Sequence, residues 1–436
     1  MEVYKLKGTP AQGLFGATLG FFTGFAAVSI FGPAAHRFQE VMHLSPVLLG
    51  LLVAIPSLSG SLMRIPFSAW VDTTGGRKPF LVLLGLSVLG MLGLFLVVYL
   101  LYPERLNSGL YPLLLLLGAL SGCGIATFSV GISQVSYWFP QARQGRALGT
   151  YAGIGNMAPG LFSLLLPLAL SSWGLAGSYL AWLIFLTAGA AVYYLVGRNA
   201  WYFQLLRQGA PPERARETAC KDCGQQIFPA GSLTASLKLS ARRWKTWALV
   251  TVYFTTFGGF IALTAWLPTY WREFFGVTPI AAGILTALYS ILTSIVRVFG
   301  GAVSDRLGGE RTAILAILVM LAGGVIMMAS HNYGLSIVGE VVMALGMGVG
   351  NAAVFKLVPQ EVPEAVGGAA GWVGGLGAFG GFAIPPLMGA FVRASGAPGY
   401  AQGFVVFIAL AALSLSLSYV LRRARAAQLR EAEALA

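Results

Sequence analysis

Twelve apolar runs dominate this chain. They fall near residues 13–35, 45–71, 79–101, 110–138, 145–171 and 177–197, and again near 246–270, 278–303, 312–330, 334–357, 366–392 and 400–421. About 20 apolar residues in a helix cross a ~30 Å hydrocarbon core, so each run is long enough to span a bilayer. The fold expected is an all-α polytopic membrane protein with twelve transmembrane helices. Charge supports this: only 10% of residues are charged, against roughly 25% in soluble domains. The 57 glycines also suit a membrane bundle, where small residues let helices approach closely. No cleavable leader is expected, because the first ten residues are polar and the run after Gly13 is long and lacks a small-residue exit.

A polar stretch from Arg198 to Lys245 separates the first six runs from the last six. Residues 1–198 therefore read as one six-helix half and 199–245 as a linker. Residues 246–436 read as a second half with a tail, and six plus six suggests duplication. Of the 28 lysines and arginines, Arg37, Arg105, Arg272 and Arg393 fall in one set of alternate loops, and Arg64 and Arg297 fall inside runs. The remaining 22 lie on the other side, with both termini and the linker. By the positive-inside rule that side is cytoplasmic. The bias accounts for the net charge of +13 without a nucleic-acid partner.

Arg64 precedes Asp72 by eight residues, and Arg297 precedes Asp305 by eight. Gly75-Gly76 and Gly308-Gly309 follow the aspartates at one offset, and Lys78 or Arg311 closes each motif. The pattern R-x7-D-x2-G-G-x-[KR] thus occurs once per half. Its loop, with Asp72, Gly76 and Arg77 in one copy and Asp305, Gly309 and Arg311 in the other, resembles the hallmark gating loop of the major facilitator superfamily. That resemblance implies two pseudo-symmetric six-helix halves.

Eight helical residues rise about 12 Å, which puts both arginines near the membrane midplane. A charge there costs at least ~2.5–3.5 kcal/mol and should face a cavity with a partner. Only Glu340 among the 15 acidic residues lies well inside a run, toward its outer end, so carboxylates do not supply that partner. A small anion would, since a guanidinium fork pairs well with flat oxyanions. The alternative is structural: arginines pairing with backbone carbonyls.

The fifth helix of each half is glycine-rich: "GRALGTYAGIGNMAPG" with Asn156, and "GGAAGWVGGLGAFGGFAIPP" with Gly371 and Gly374. Packing alone explains part of that pattern. With the two arginines, these segments resemble the nitrate/nitrite porter family of the major facilitator superfamily over nearly the whole chain. "ATFSVGISQVSYWFP", "VYFTTFGGF" and "GNAAVFKLVP" resemble its fourth-, seventh- and tenth-span segments. The resemblance implies a substrate site of Arg64, Arg297, Phe128, Tyr253, Phe257, Asn156, Asn351, Gly371 and Gly374, with the two phenylalanines as walls and Tyr253 as donor. The family often has Asn where this chain has Thr127, Gln134 and Tyr151, and Ser where it has Gly374.

The function expected is secondary transport of nitrate and nitrite by alternating access, with exchange favoured because an empty site holds two repelling charges. Proton symport is the alternative. His36, His43 and His331 lie at span ends or in outer loops, leaving Glu340 and Lys356 as its nearest candidates. A carrier of another small anion, or a sensor without flux, are further alternatives, and no catalytic set marks an enzyme. No cofactor is expected, membrane lipids are the expected neighbours, and the working unit is expected to be a monomer in the plasma membrane. Cys220 and Cys223 form a lone C-x2-C in the linker, without a second pair to complete a metal site. The linker reads as a surface segment near headgroups, and the C-terminal end as a short helix.

Overall fold

The computed structural model describes residues 4–229, 233–362 and 365–435, and among these every regular element is helical. Spans 1 to 4 are Pro10–Met42, Pro46–Thr74, Arg77–Leu101 and Ser108–Trp138. Spans 7 to 12 are Trp244–Phe275, Pro279–Ser304, Gly309–Ala329, Tyr333–Val358, Gly368–Ser395 and Gly399–Ala427. Between them lies one continuous 50-residue segment, Ala147–Val196. Gly174 breaks it, at φ 66° and ψ −173°, a backbone that side-chain-bearing residues avoid.

The chain reverses at that glycine. On the way out Ser163 Oγ meets Ser29 Oγ at 2.9 Å, and Arg37 Nη2 donates to the Leu170 carbonyl at 3.2 Å. On the way back Tyr179 Oη donates to the Ile30 carbonyl at 3.0 Å, Gly189 packs on Thr23 and Gly197 on Gly16. The order along span 1 runs forward and then backward, so 147–173 and 175–196 are antiparallel spans 5 and 6. Twelve spans result.

Several spans lose regular α geometry near their middles. Span 1 passes through 3-10 turns at Ala26–Ser29 and Gly32–Ala34, span 4 through one at Cys123–Ala126, and span 7 through a π segment at Phe254–Gly258. Span 2 breaks at Met63, where Pro66 has no N–H for the Leu62 carbonyl one turn back.

The two ends of the bundle differ. At the end carrying His36, Gly32 lies against the Ala265 carbonyl, Gly50 against the Pro385 carbonyl, Gly389 against Pro46 and Gly283 against Ser163. A Cβ at any of these positions would collide with the facing backbone, so spans 1–7, 2–11 and 5–8 meet there in close contact. Toward the end carrying Asp72 a cavity of about 780 Å³ opens between spans 4, 5, 8 and 10.

The linker is a folded unit, which the reading of a plain surface segment does not anticipate. Helices Trp201–Arg207 and Pro212–Cys223 bury Leu205, Ala210, Ala215 and Ala219 against Tyr4 and Leu6 of the N-terminal arm. Gln204 and Gln208 straddle that arm. Their side-chain oxygens accept from Lys7 N at 2.9 Å and Lys5 N at 3.0 Å. Their amides donate back to the same residues' carbonyls at 2.7 and 3.3 Å. Cys220 and Cys223 end the second helix, and burial, then Asp222, pushes the Cys223 thiol up, away from the thiolate that metals need. The C-terminal end is no separate helix: Val405–Leu435 continues span 12 without a break.

Candidate functional site

Arg64 opens the helix Arg64–Thr74 after the Met63 break, and Arg297 lies within the unbroken helix Pro279–Leu307. Their guanidiniums share the same two rings. Arg64 Cζ stands 4.9 Å from the Phe128 centroid and 5.3 Å from that of Phe257; Arg297 Cζ stands at 5.8 and 5.2 Å. The rings stack at 5.8 Å with 29° between planes. Each contact is a cation–π geometry worth about 0.5–2 kcal/mol, which eases burial without neutralising charge.

Arg64 is 1% exposed, and its Nη1 donates to the Gly374 carbonyl at 2.9 Å. Arg297 Nη2 donates to Tyr253 Oη at 3.3 Å. Among the described residues neither arginine pairs with a carboxylate, and Arg64 Nε, Arg64 Nη2 and Arg297 Nη1 have no hydrogen-bond acceptor. One buried and one half-buried cation therefore keep three buried nitrogens for something else. Backbone carbonyls alone, the structural alternative, satisfy only Arg64 Nη1.

The other expected residues divide. Tyr253 and Phe257 stack at 4.8 Å on span 7, set by the π segment that begins at Phe254. Asn351 borders the cavity beside Arg297, and its buried Oδ1 is unpartnered. Asn156 is buried with a free Oδ1, and its carbonyl accepts from Ser294 Oγ at 3.0 Å, one turn from Arg297. Gly374 reaches Arg64 through its carbonyl. Gly371, one turn away, faces Leu237 of the linker helix Leu233–Ala241, whose carbonyl accepts from Trp372 Nε1 at 3.1 Å. The structure thus brings eight of the nine together and sets Gly371 against the linker.

Other residues hold the walls. Tyr151 Oη donates to the Thr127 carbonyl at 2.9 Å and the Phe128 carbonyl at 3.0 Å, and Gly131 leaves room for its ring. Phe21 lies 5.2 Å from Phe128, Phe25 stacks on Phe257 at 6.4 Å, and Phe355 meets Tyr253 edge-on at 5.0 Å. One signal for them was present: Phe21-x3-Phe25 in span 1 matches Tyr253-x3-Phe257 in span 7.

In the loops, Gly75 and Gly308 end their helices with φ of 75° and 85°, so both copies make the same left-handed turn. Asp72 Oδ1 accepts from Tyr137 Oη at 2.6 Å. Gly76 packs on Gln134, Arg77 N donates to Asn199 Oδ1 at 2.8 Å, and Arg77 Nη2 donates to the Tyr194 carbonyl at 2.7 Å. Gly309 packs on Leu357, and Arg311 is exposed. The side chain of Asp305 lies outside the described residues. Gln134, a departure from the porter pattern, is structural: its amide donates to the Arg198 carbonyl and its oxygen accepts from Tyr193 Oη.

Comparison with known proteins places this geometry. The profile of the Major Facilitator Superfamily matches residues 17–283 and 270–435. The "Probable nitrate/nitrite antiporter NarK1" of Thermus thermophilus is 32% identical over 427 residues, 91% of this chain and 88% of that protein. The "Nitrite extrusion protein" of Bacillus subtilis is 28% identical over 92% of this chain and 91% of its own length. Among solved structures, the xylose transporter XylE from E. coli matches with a TM-score of 0.71 at 14% identity, covering 95% of this chain and 99% of that one. A bacterial homolog of the human lysosomal transporter Spinster matches at 0.68 and 17% identity, over 96% and 98% of the two chains. These two show the fold alone.

Proposed function

The chain belongs to the nitrate/nitrite porter family of the major facilitator superfamily, and from there we propose that it exchanges nitrate and nitrite across the plasma membrane. One observation carries the reading. Among the described residues, Arg64 and Arg297 share the Phe128 and Phe257 rings with no carboxylate pairing either, and three of their nitrogens are unpartnered. Nitrate and nitrite are flat, carry one delocalised charge, and offer oxygens in plane and a face on each side. The forks take the oxygens, the rings cover the faces, and Tyr253, Asn156 and Asn351 complete the polar rim.

The cycle follows from charge. Without an anion the two guanidiniums repel across a low-dielectric gap, which opposes closing both ends at once. A bound anion relieves that repulsion, so the loaded carrier crosses and the empty one does not. The two six-helix halves, 1–198 and 246–436, rock about the pair, and the loops at Asp72–Lys78 and Asp305–Arg311 gate the basic end. Both termini and the linker face the cytoplasm, as the loop charges require. The open cavity at that end supports an inward-facing arrangement.

Proton symport is the second reading, favoured by one observation: Glu340 is 1% exposed and has no ion-pair partner among the described residues, with the Trp271 indole as its neighbouring donor. Titration calorimetry on purified protein tests the site itself. Arg64→Lys or Arg297→Lys keeps the charge and loses the fork. Each should weaken nitrate affinity by about tenfold to a hundredfold, the worth of one or two hydrogen bonds to a charged group. Unchanged affinity in both folded variants would overturn the clamp.

A further inference from the structure

At the closed end of the bundle, far from the arginine pair, His36 joins span 1 to span 7. Its Nε2 lies 2.8 Å from Glu40 Oε1 on its own helix, and its Nδ1 lies 3.1 Å from Glu273 Oε1 at the end of span 7. A neutral imidazole donates from only one nitrogen and turns a lone pair toward whatever faces the other. Two carboxylates at hydrogen-bond distance from both nitrogens are therefore satisfied together only by the imidazolium. We propose that His36 is a proton-binding latch: protonated, it ties span 1 to span 7 and holds this end closed; neutral, it releases Glu273.

The surroundings fit a switch exposed to solvent protons. The imidazole is 30% exposed and borders a cavity of about 450 Å³ with Arg37, Glu40, Tyr102 and Arg272. The two arginines oppose a third positive charge; Arg37 is engaged away from the ring, while Arg272 approaches Glu273 itself. Arg37 Nη2 donates to the Leu170 carbonyl, and Arg272 Nε sits 3.9 Å from Glu273. Tyr400, at the start of span 12, is a further titratable group near Glu273. The carboxylates are the groups in contact with the ring. Opening this end must separate Gly32 from Ala265, and with them His36 from Glu273.

The inference rests on the alternating-access part of the reading above, not on the anion's identity. Spin labels at Ser108 and Ala397, both exposed at this end, report its opening by pulsed dipolar spectroscopy in nanodiscs. The background has Cys123, Cys220 and Cys223 replaced, and its nitrate binding is measured first. Between pH 8 and pH 5.5 the closed-to-open ratio should rise about twofold to fivefold, the worth of an exposed charge pair. His36→Gln and Glu273→Gln should each abolish that rise while leaving nitrate affinity unchanged. No pH response in the parent protein, or a full response in either variant, overturns the latch. A background that fails to bind nitrate while its pH response persists counts against the anion reading alone.

Discussion

Arg64 and Arg297 carry the chemistry, but their setting depends on Tyr151, which touches neither. Its hydroxyl bonds the carbonyls of Thr127 and Phe128 in the turn that aims the Phe128 ring. Tyr151→Phe should lower stability by about 1 kcal/mol, one neutral hydrogen bond, and weaken nitrate binding several-fold while the arginines remain in place. Melting temperature and calorimetry on one preparation read both effects; full affinity with lowered stability would confine Tyr151 to packing. Gly374→Ser should be accommodated, because a Cβ there meets only Phe355 and Ser129 at 3.9 Å, an ordinary contact. Its binding curve then shows what a hydroxyl beside Arg64 adds to nitrate affinity; failure to fold would contradict the open space. The arginines were legible in the sequence because a charge in an apolar run is costly wherever the run packs. Tyr151 was not, since a buried aromatic announces packing and only tertiary structure shows which ring it braces; for Phe21 and Phe25 the only signal was the spacing they share with Tyr253 and Phe257.

At the scale of elements, all twelve spans were legible, because length and apolarity alone mark a helix in a bilayer; nine agree within three residues, while those ending at Met42, Phe275 and Ala427 run five to seven residues further than expected. The turn between spans 5 and 6 falls at Gly174, between the expected limits at 171 and 177. Their irregularities were not legible. The 3-10 turns in spans 1 and 4 and the π segment at Phe254–Gly258 arise where neighbouring helices re-satisfy loosened backbone bonds. Nor did composition reveal that 199–229 folds around Gln204, Gln208 and the N-terminal arm, because that core spans more than 190 residues of sequence. The glycines at the closed end make a prediction of their own. Gly50→Val or Gly389→Val puts a branched side chain against the facing backbone, so that end should no longer close. The same dipolar measurement should find the long distance favoured in both variants; a distribution like that of the parent would show that backbone contact there is not what seals it.

The whole molecule is a bundle closed at the His36 end and open at the Asp72 end, with two uncompensated charges between them. That arrangement makes the anion the ligand that permits passage, which is what an exchanger requires. Arg64 and Arg297 belong to different halves and share one pair of rings, so movement of either half without an anion leaves like charges near each other. The most direct test is nitrate uptake into proteoliposomes of the purified protein, with internal nitrite and the pH gradient set independently. The account predicts uptake that rises with internal nitrite, is negligible without it, and is lost in Arg64→Lys and Arg297→Lys. Sustained uptake into nitrite-free vesicles driven by an imposed pH gradient would contradict exchange and put Glu340 at the centre of the cycle.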